Sequence, residues 1–235
     1  MIELKESNRS TKTFYILITI FSIIAVIHLY ACFNHILNLR YATKVFLVPL
    51  LLLIYLQRTS KETRSNFTII ALTLGALGDI LIICRFFKFY LLLGLSSFLI
   101  GHYFYIIELI SRIKMKIWKE KSFIALLFLM CFGLFFSYVY KYFMEEGVKK
   151  HKFVIPGIAY LATLGILDST ALFYLISKKT FNSLIIYIGA IFFSISDLIL
   201  GRNLFYKENI YFSFFIMLTY IIAQVLITFG LSRAD

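Results

Sequence analysis

Charge is scarce in this chain. Only 15% of its 235 residues are Asp, Glu, Lys or Arg, against 61% hydrophobic residues. A soluble domain of this length has no way to keep so much apolar surface from water, so a soluble globular fold is excluded. Proline occurs twice and glycine eleven times, which permits long uninterrupted helices. Strand-like alternation is also missing, since stretches such as Phe14 to Phe33 are predominantly apolar throughout. That excludes a membrane β-barrel. A lipid-spanning backbone must satisfy its own hydrogen bonds, and helices are what remains.

Other absences narrow the chemistry. The three cysteines, Cys32, Cys84 and Cys131, lie in or beside apolar segments without paired spacing. Packing roles fit them better than a disulfide framework or a metal knuckle. Four histidines, none at close ligand spacing, argue against a zinc site. There is no Gly-x-Ser-x-Gly elbow, because Gly94-Leu95-Ser96-Ser97-Phe98 fails at its last position. No acyltransferase His-x-x-x-x-Asp pair and no phosphate-cradling P-loop occurs. The net charge of +12 sits in short hydrophilic gaps between apolar runs. There it meets lipid headgroups and sets topology, and no nucleic-acid partner is expected.

What the chain has is apolar length. One crossing of a bilayer core about 30 Å thick takes about 20 apolar residues. The sequence predicts an all-α polytopic bundle of about eight spans in one transmembrane domain, residues 1–235. The spans are placed at 13–33, 41–57, 67–84, 89–110, 122–143, 153–177, 182–201 and 210–231. The first is too long for a signal-peptide core and lacks a cleavage site, so it is expected to be retained. An even number of spans puts both termini on one side. Loop Lys and Arg residues divide 14 to 10 in favour of a cytoplasmic N-terminal side. A shift of 118 residues lays Asp79 on Asp197, Gly78 on Ser196, His102 on Tyr220 and Arg85 on Asn203. Spans 3 and 4 thus echo spans 7 and 8, as in a parallel repeat of two four-helix halves.

Ionisable groups inside a span are costly and tend to face the bundle interior or a wet cavity. The candidates are His28, Asp79, His102, Asp168 and Asp197, while Glu108 has Arg112 four residues on as a ready partner. Small residues lead up to each of two aspartates: Gly75 and Gly78 before Asp79, Ala190 and Ser194 before Asp197. Both lie near the same end of their spans. If spans 3 and 7 pack together, the carboxylates meet at similar depth. Two readings stand, a functional pair or aspartates that merely pair with a base, and the matched surroundings favour function. At that same end lie Arg40, Lys44, Arg85, Arg202 and Asn203, residue types that hold a phosphate-bearing headgroup but also snorkel to any membrane surface. Lys44 lies deepest in apolar sequence. His102, Tyr160, Tyr220 and Gln224 are further polar residues within spans.

The segments Gly75 to Leu81, Phe98 to Tyr105 and Gly189 to Leu200 together resemble the YhhN family of membrane proteins, whose characterised animal members are lysoplasmalogenases. Lys44 with Pro49, Tyr160, Asn203, and Tyr220 with Gln224 fit the same pattern. The resemblance implies an eight-span bundle that hydrolyses the vinyl ether of a lysoplasmalogen, a lysophospholipid, to a fatty aldehyde and a glycerophospho-base. It implies Asp79 and Asp197 as catalytic acid and base. Lys44, Arg85, His102, Tyr160, Asn203, Tyr220 and Gln224 would then line the substrate and headgroup site. Asp168 departs from the pattern, where an apolar or small residue is expected.

Vinyl ether hydrolysis suits such a pair. Protonation of the outer alkene carbon gives an oxocarbenium ion, water captures it, and the hemiacetal collapses. One carboxyl must be protonated and one ionised, the division of labour that glycosidases use. Neither a metal nor an organic cofactor is required. The alternative is a proton-coupled or lipid transporter, because intramembrane carboxylates and parallel repeats also occur in carriers. The shortage of mid-helix proline argues against alternating access.

Overall fold

The computed structural model describes residues 2–84, 87–151, 153–205, 209 and 211–233, with backbone alone for residues 2–10, 143, 144, 150 and 151. The described residues form α1 (Ile2–Phe33), α2 (Leu37–Arg58), α3 (Asn66–Ile83), α4 (Lys88–Ser111), α5 (Met115–Val139), α6 (Glu145–His151), α7 (Val154–Lys178), α8 (Phe181–Phe205) and α9 (Phe212–Arg233). No strand occurs among them. All but the short α6 are long and apolar enough to cross a membrane, which makes the chain an integral multi-pass protein.

Local chemistry sets several of the helix ends. The Ser65 side chain accepts from the Phe67 amide and caps α3. Pro156 falls in the first turn of α7, where its missing N–H matters least. At the other end Lys179 takes the left-handed conformation, φ 54°, and donates its amide to Leu175. Several ends differ from the expected spans, α1 starting at Ile2 rather than 13 and α2 at Leu37 rather than 41. The fifth helix starts at Met115 rather than 122, because its lysine-rich first turns are helical up to a break at Lys121 (φ −123°, ψ 17°). It continues beyond Val139 as a π-helical turn, Tyr140–Met144. The seventh span runs on to Phe205, four residues past its expected end, because Gly201 packs inside the helix instead of ending it.

Packing follows one order twice. In the first half α1 lies on α2, α2 on α3 and α3 on α4; in the second α5 lies on α7, α7 on α8 and α8 on α9. The halves then interlock, with α4 against α7 and α9 against α2. Glycine permits the closest approaches. A Cβ at Gly94 would stand 2.8 Å from Ile82 Cγ1 of α3, and one at Gly189 would stand 2.8 Å from Ile227 Cγ1 of α9. By contrast α5 sits at the rim, with Phe136 its one buried residue among those described. Direct packing of α3 on α8 does not carry the site. Their aspartates are reached instead from α9 and α4.

Away from the site, at the face where α4 ends, the buried Glu108 pairs with Arg112 and accepts from Ser65. Arg112 also donates to the Leu231 carbonyl, 3.4 Å away. This cluster ties α3, α4 and α9 together.

Candidate active site

Asp79 and Asp197 lie in the last turns of α3 and α8, which end at the same face of the bundle. At 1.5 Å per residue, Asp79 sits about 6 Å and Asp197 about 12 Å from the ends of their helices. Both are buried.

Asp79 is held from two helices of different halves. Its Oδ1 lies 3.2 Å from Lys44 Nζ on α2, and its Oδ2 accepts from the Tyr220 hydroxyl on α9 at 2.9 Å. Behind Tyr220, the Gln224 amide donates to its oxygen at 3.3 Å, and Tyr105 donates to Gln224 Oε1 at 3.2 Å. A chain of side chains from three helices therefore fixes this carboxylate, each member satisfied by the next.

Asp197 has the matching neighbours with different chemistry. Its Oδ2 accepts from Tyr160 on α7 at 2.7 Å, and His102 Nε2 of α4 stands 3.6 Å from the same oxygen. Both ring nitrogens of the buried His102 lack a hydrogen-bond partner. Its ring packs edge-on against Phe193, with centroids 4.5 Å apart, and Phe193 packs edge-on against Tyr220 at 5.5 Å. An aromatic layer thus joins the two aspartate sites.

Two clefts meet here. One is apolar: Leu95, Leu99, Phe153, Pro156 and Leu161 lead to Tyr160 and Asp197. The other is basic and polar, with His28, Arg40, Tyr41, Lys44 and Asn203 in its wall. Leu200 lines both, so a single turn of α8 separates them. An amphiphile with one greasy arm and one anionic arm matches this pair of clefts in shape and charge.

Of the expected site residues, Lys44, His102, Tyr160, Asn203, Tyr220 and Gln224 are gathered with the two aspartates. Asn203 lines the basic cleft while its Oδ1 accepts from the Asn209 amide at 2.6 Å. Arg85 lies outside the described residues. His28 was legible only as an isolated histidine; the fold gives it a place in the basic cleft, with Nδ1 2.7 Å from Thr43 Oγ1. Phe193 had no signal in the sequence beyond being apolar. Asp168 of α7 is buried, accepting at 2.8 Å through Oδ2 from Ser194 of α8, one turn before Asp197, with Oδ1 unpartnered.

The model of the YhhN family matches residues 39–231. The chain belongs to the YhhN family. The match runs from α2 to α9 and spans Lys44, both aspartates and the Tyr220–Gln224 turn, leaving His28 on α1 outside. No curated protein and no solved structure matches the chain.

Proposed function

We propose that this YhhN protein is a lysoplasmalogenase-type hydrolase that cleaves the vinyl ether of a lysophospholipid with Asp79 and Asp197. The observation that carries the reading is the difference in partners between two buried carboxylates, Asp197 lining the apolar cleft and Asp79 paired with Lys44 from the wall of the basic one. Asp79 faces the Lys44 ammonium, whereas Asp197 is met by a hydroxyl and an imidazole at the end of the apolar cleft.

The alkenyl chain would occupy the apolar cleft and the phosphate the basic one, near Arg40, Lys44 and Asn203. The vinyl ether then lies beside Leu200, within reach of the acids. Asp197 gives its proton to the outer alkene carbon, and the oxocarbenium charge develops on the ether carbon and oxygen. Asp79, fixed by Lys44 and Tyr220, stabilises that charge and takes a proton from the attacking water. As the hemiacetal opens, Asp79 passes its proton to the leaving glycerol oxygen and the hemiacetal hydroxyl gives its proton to Asp197 while the aldehyde C=O forms. Water is consumed, aldehyde and glycerophospho-base are released, and each acid returns to its starting state.

The test is turnover by purified protein in detergent, where no gradient exists to drive a carrier. Mass spectrometry of a mixed lysolipid panel should show aldehyde released from the vinyl ether members. Asp79→Asn and Asp197→Asn should each lower that release by at least a hundredfold while the protein stays folded. Normal turnover by either variant would overturn the paired-carboxylate mechanism. Absence of any aldehyde from wild-type protein would favour the transporter reading.

A further inference from the structure

The apolar cleft beside Asp197 has a neighbour on its outer side. Tyr140 and Leu161 line it, and the same two side chains line a second groove between α5 and α7. That groove is walled by the exposed Leu129, Gly133, Ile158 and Ala162, with the buried Phe136 behind them. It is apolar and adjoins the apolar cleft across Tyr140 and Leu161. At this depth in a bilayer only hydrocarbon is available to fill such a surface.

The helix that forms its outer wall is built loosely. α5 packs through Phe136, whose ring lies 3.3 Å from where a Cβ at Gly165 would stand. A Cβ at Gly133 would meet nothing within 4 Å, so the groove floor there is open space. Immediately after α5 the chain takes a π-helical turn at Tyr140–Met144. Such turns insert an extra residue and re-aim the side chains around them. Here the turn begins at Tyr140, the side chain between groove and cleft.

We infer that the α5–α7 groove is a lateral binding site for the single hydrocarbon chain of a lysolipid, which passes Tyr140 to reach the cleft at Asp197. This rests on the proposed reading for the identity of the headgroup, but the groove itself is a matter of chain binding. The chain enters from the bilayer and lies along Gly133 and Ala162, so that the substrate never leaves the membrane. The released aldehyde, equally apolar, departs by the same route.

Filling the groove tests this. Gly133→Phe and Ala162→Phe place rings in open or exposed positions of the groove, so neither disturbs the packed interior. Leu134→Phe, on the neighbouring exposed residue that lines no cleft, is the control. Protein in lipid nanodiscs is illuminated with a lysophosphocholine that carries a diazirine midway along its chain, and labelled peptides are read by mass spectrometry. Wild type and Leu134→Phe should be labelled within residues 129–140 and 158–166, and the two groove variants at least tenfold less. Equal labelling of all four proteins, or labelling spread around every lipid-facing helix, overturns the inference. In parallel, the groove variants should lose about tenfold in turnover of a long-chain lysoplasmalogen while keeping that of a short-chain, water-soluble analogue. The two arms separate the claims. Groove-dependent labelling in a protein that hydrolyses no vinyl ether leaves the chain site standing and removes the function, and hydrolysis with groove-independent labelling does the reverse.

Discussion

The Lys44–Asp79 pair allows the sharpest test of how this site is held together. Nζ and Oδ1 are 3.2 Å apart, with the lysine side chain 17% and the aspartate 2% exposed. At an effective dielectric constant of about 20, two unit charges at that distance attract by about 5 kcal/mol. Desolvation of both groups offsets most of this, so the pair adds little net stability. Removing one partner is another matter, because it leaves the second charge buried. Lys44→Met should therefore destabilise the protein by about 3–5 kcal/mol. Asp79→Asn should have a smaller effect, because Lys44 borders the basic cleft and can turn its ammonium towards water or headgroups. The double variant Lys44→Met/Asp79→Asn removes both charges together and keeps the Tyr220 hydrogen bond. It should lie within about 1 kcal/mol of wild type, which gives a coupling energy of at least about 2–4 kcal/mol.

The assay is equilibrium unfolding in mixed micelles, followed by the loss of helical circular dichroism, for wild type, both single variants and the double. Aldehyde release is measured on the folded fraction of each. On the proposed mechanism the double variant is stable but inactive, which separates loss of fold from loss of chemistry. A coupling energy below about 0.5 kcal/mol would mean that the two groups act independently. The reasoning that Lys44 holds the Asp79 carboxylate in place would then be wrong.

Three further outcomes follow from the packing. Glu108→Ala removes the carboxylate that Arg112 and Ser65 share at the far face; it should lower stability by about 3 kcal/mol without changing turnover per folded molecule, as the same unfolding and aldehyde assays would show. Gly189→Ala places a methyl group against Ile227 and should cost about 1–3 kcal/mol, whereas Gly133→Ala, facing open space, should be neutral in the same unfolding measurement. Asp168→Leu combined with Ser194→Ala replaces a buried carboxylate that has one unpartnered oxygen; thermal unfolding in detergent should show the double variant at least as stable as wild type.

The bundle was legible because lipid leaves a long apolar segment little choice: it must be a helix, and its length must match the bilayer. Even so, Met115 to Lys121 read as loop, since lysines in a helix that extends beyond the apolar core carry no hydropathy signal. Arg202 and Asn203 read as following the seventh span, although the helix carries them inside it as far as Phe205. At the site, Asp79, Asp197, His102 and Tyr220 stood out as polar residues in apolar runs. Their pairing did not. No pattern along one helix says that Lys44 of α2 will face Asp79 of α3, or that Tyr160 of α7 will face Asp197 of α8. Nor did it show that the clefts divide by polarity, since Leu95, Leu99 and Leu161 are indistinguishable in sequence from residues that face lipid.

The 118-residue register explains why those pairs form. Asp79 and His102 of the first half correspond to Asp197 and Tyr220 of the second. In the fold each aspartate meets the other half's member of the second pair: Asp79 accepts from Tyr220, and Asp197 lies beside His102. This crossing follows from the interlock of α4 against α7 and α9 against α2, which carries the last helix of each half into the opposite half. A structure with strict twofold character would give both carboxylates the same surroundings, and two identical acids cannot divide a proton donor's work from a base's. The second helix of each half breaks the equivalence. It offers an ammonium from Lys44 to one aspartate and a hydroxyl from Tyr160 to the other. On the proposed mechanism this difference, added to that between Tyr220 and His102, assigns the roles, so exchanging it should matter more than removing any one hydrogen bond. Tyr160→Lys, which would offer Asp197 the same kind of partner that Asp79 has, should abolish aldehyde release even in protein that folds and still binds a lysolipid, while Tyr160→Phe should retain a measurable fraction. If Tyr160→Lys turns over at the wild-type rate, the asymmetry is incidental and Asp197 is not the proton donor.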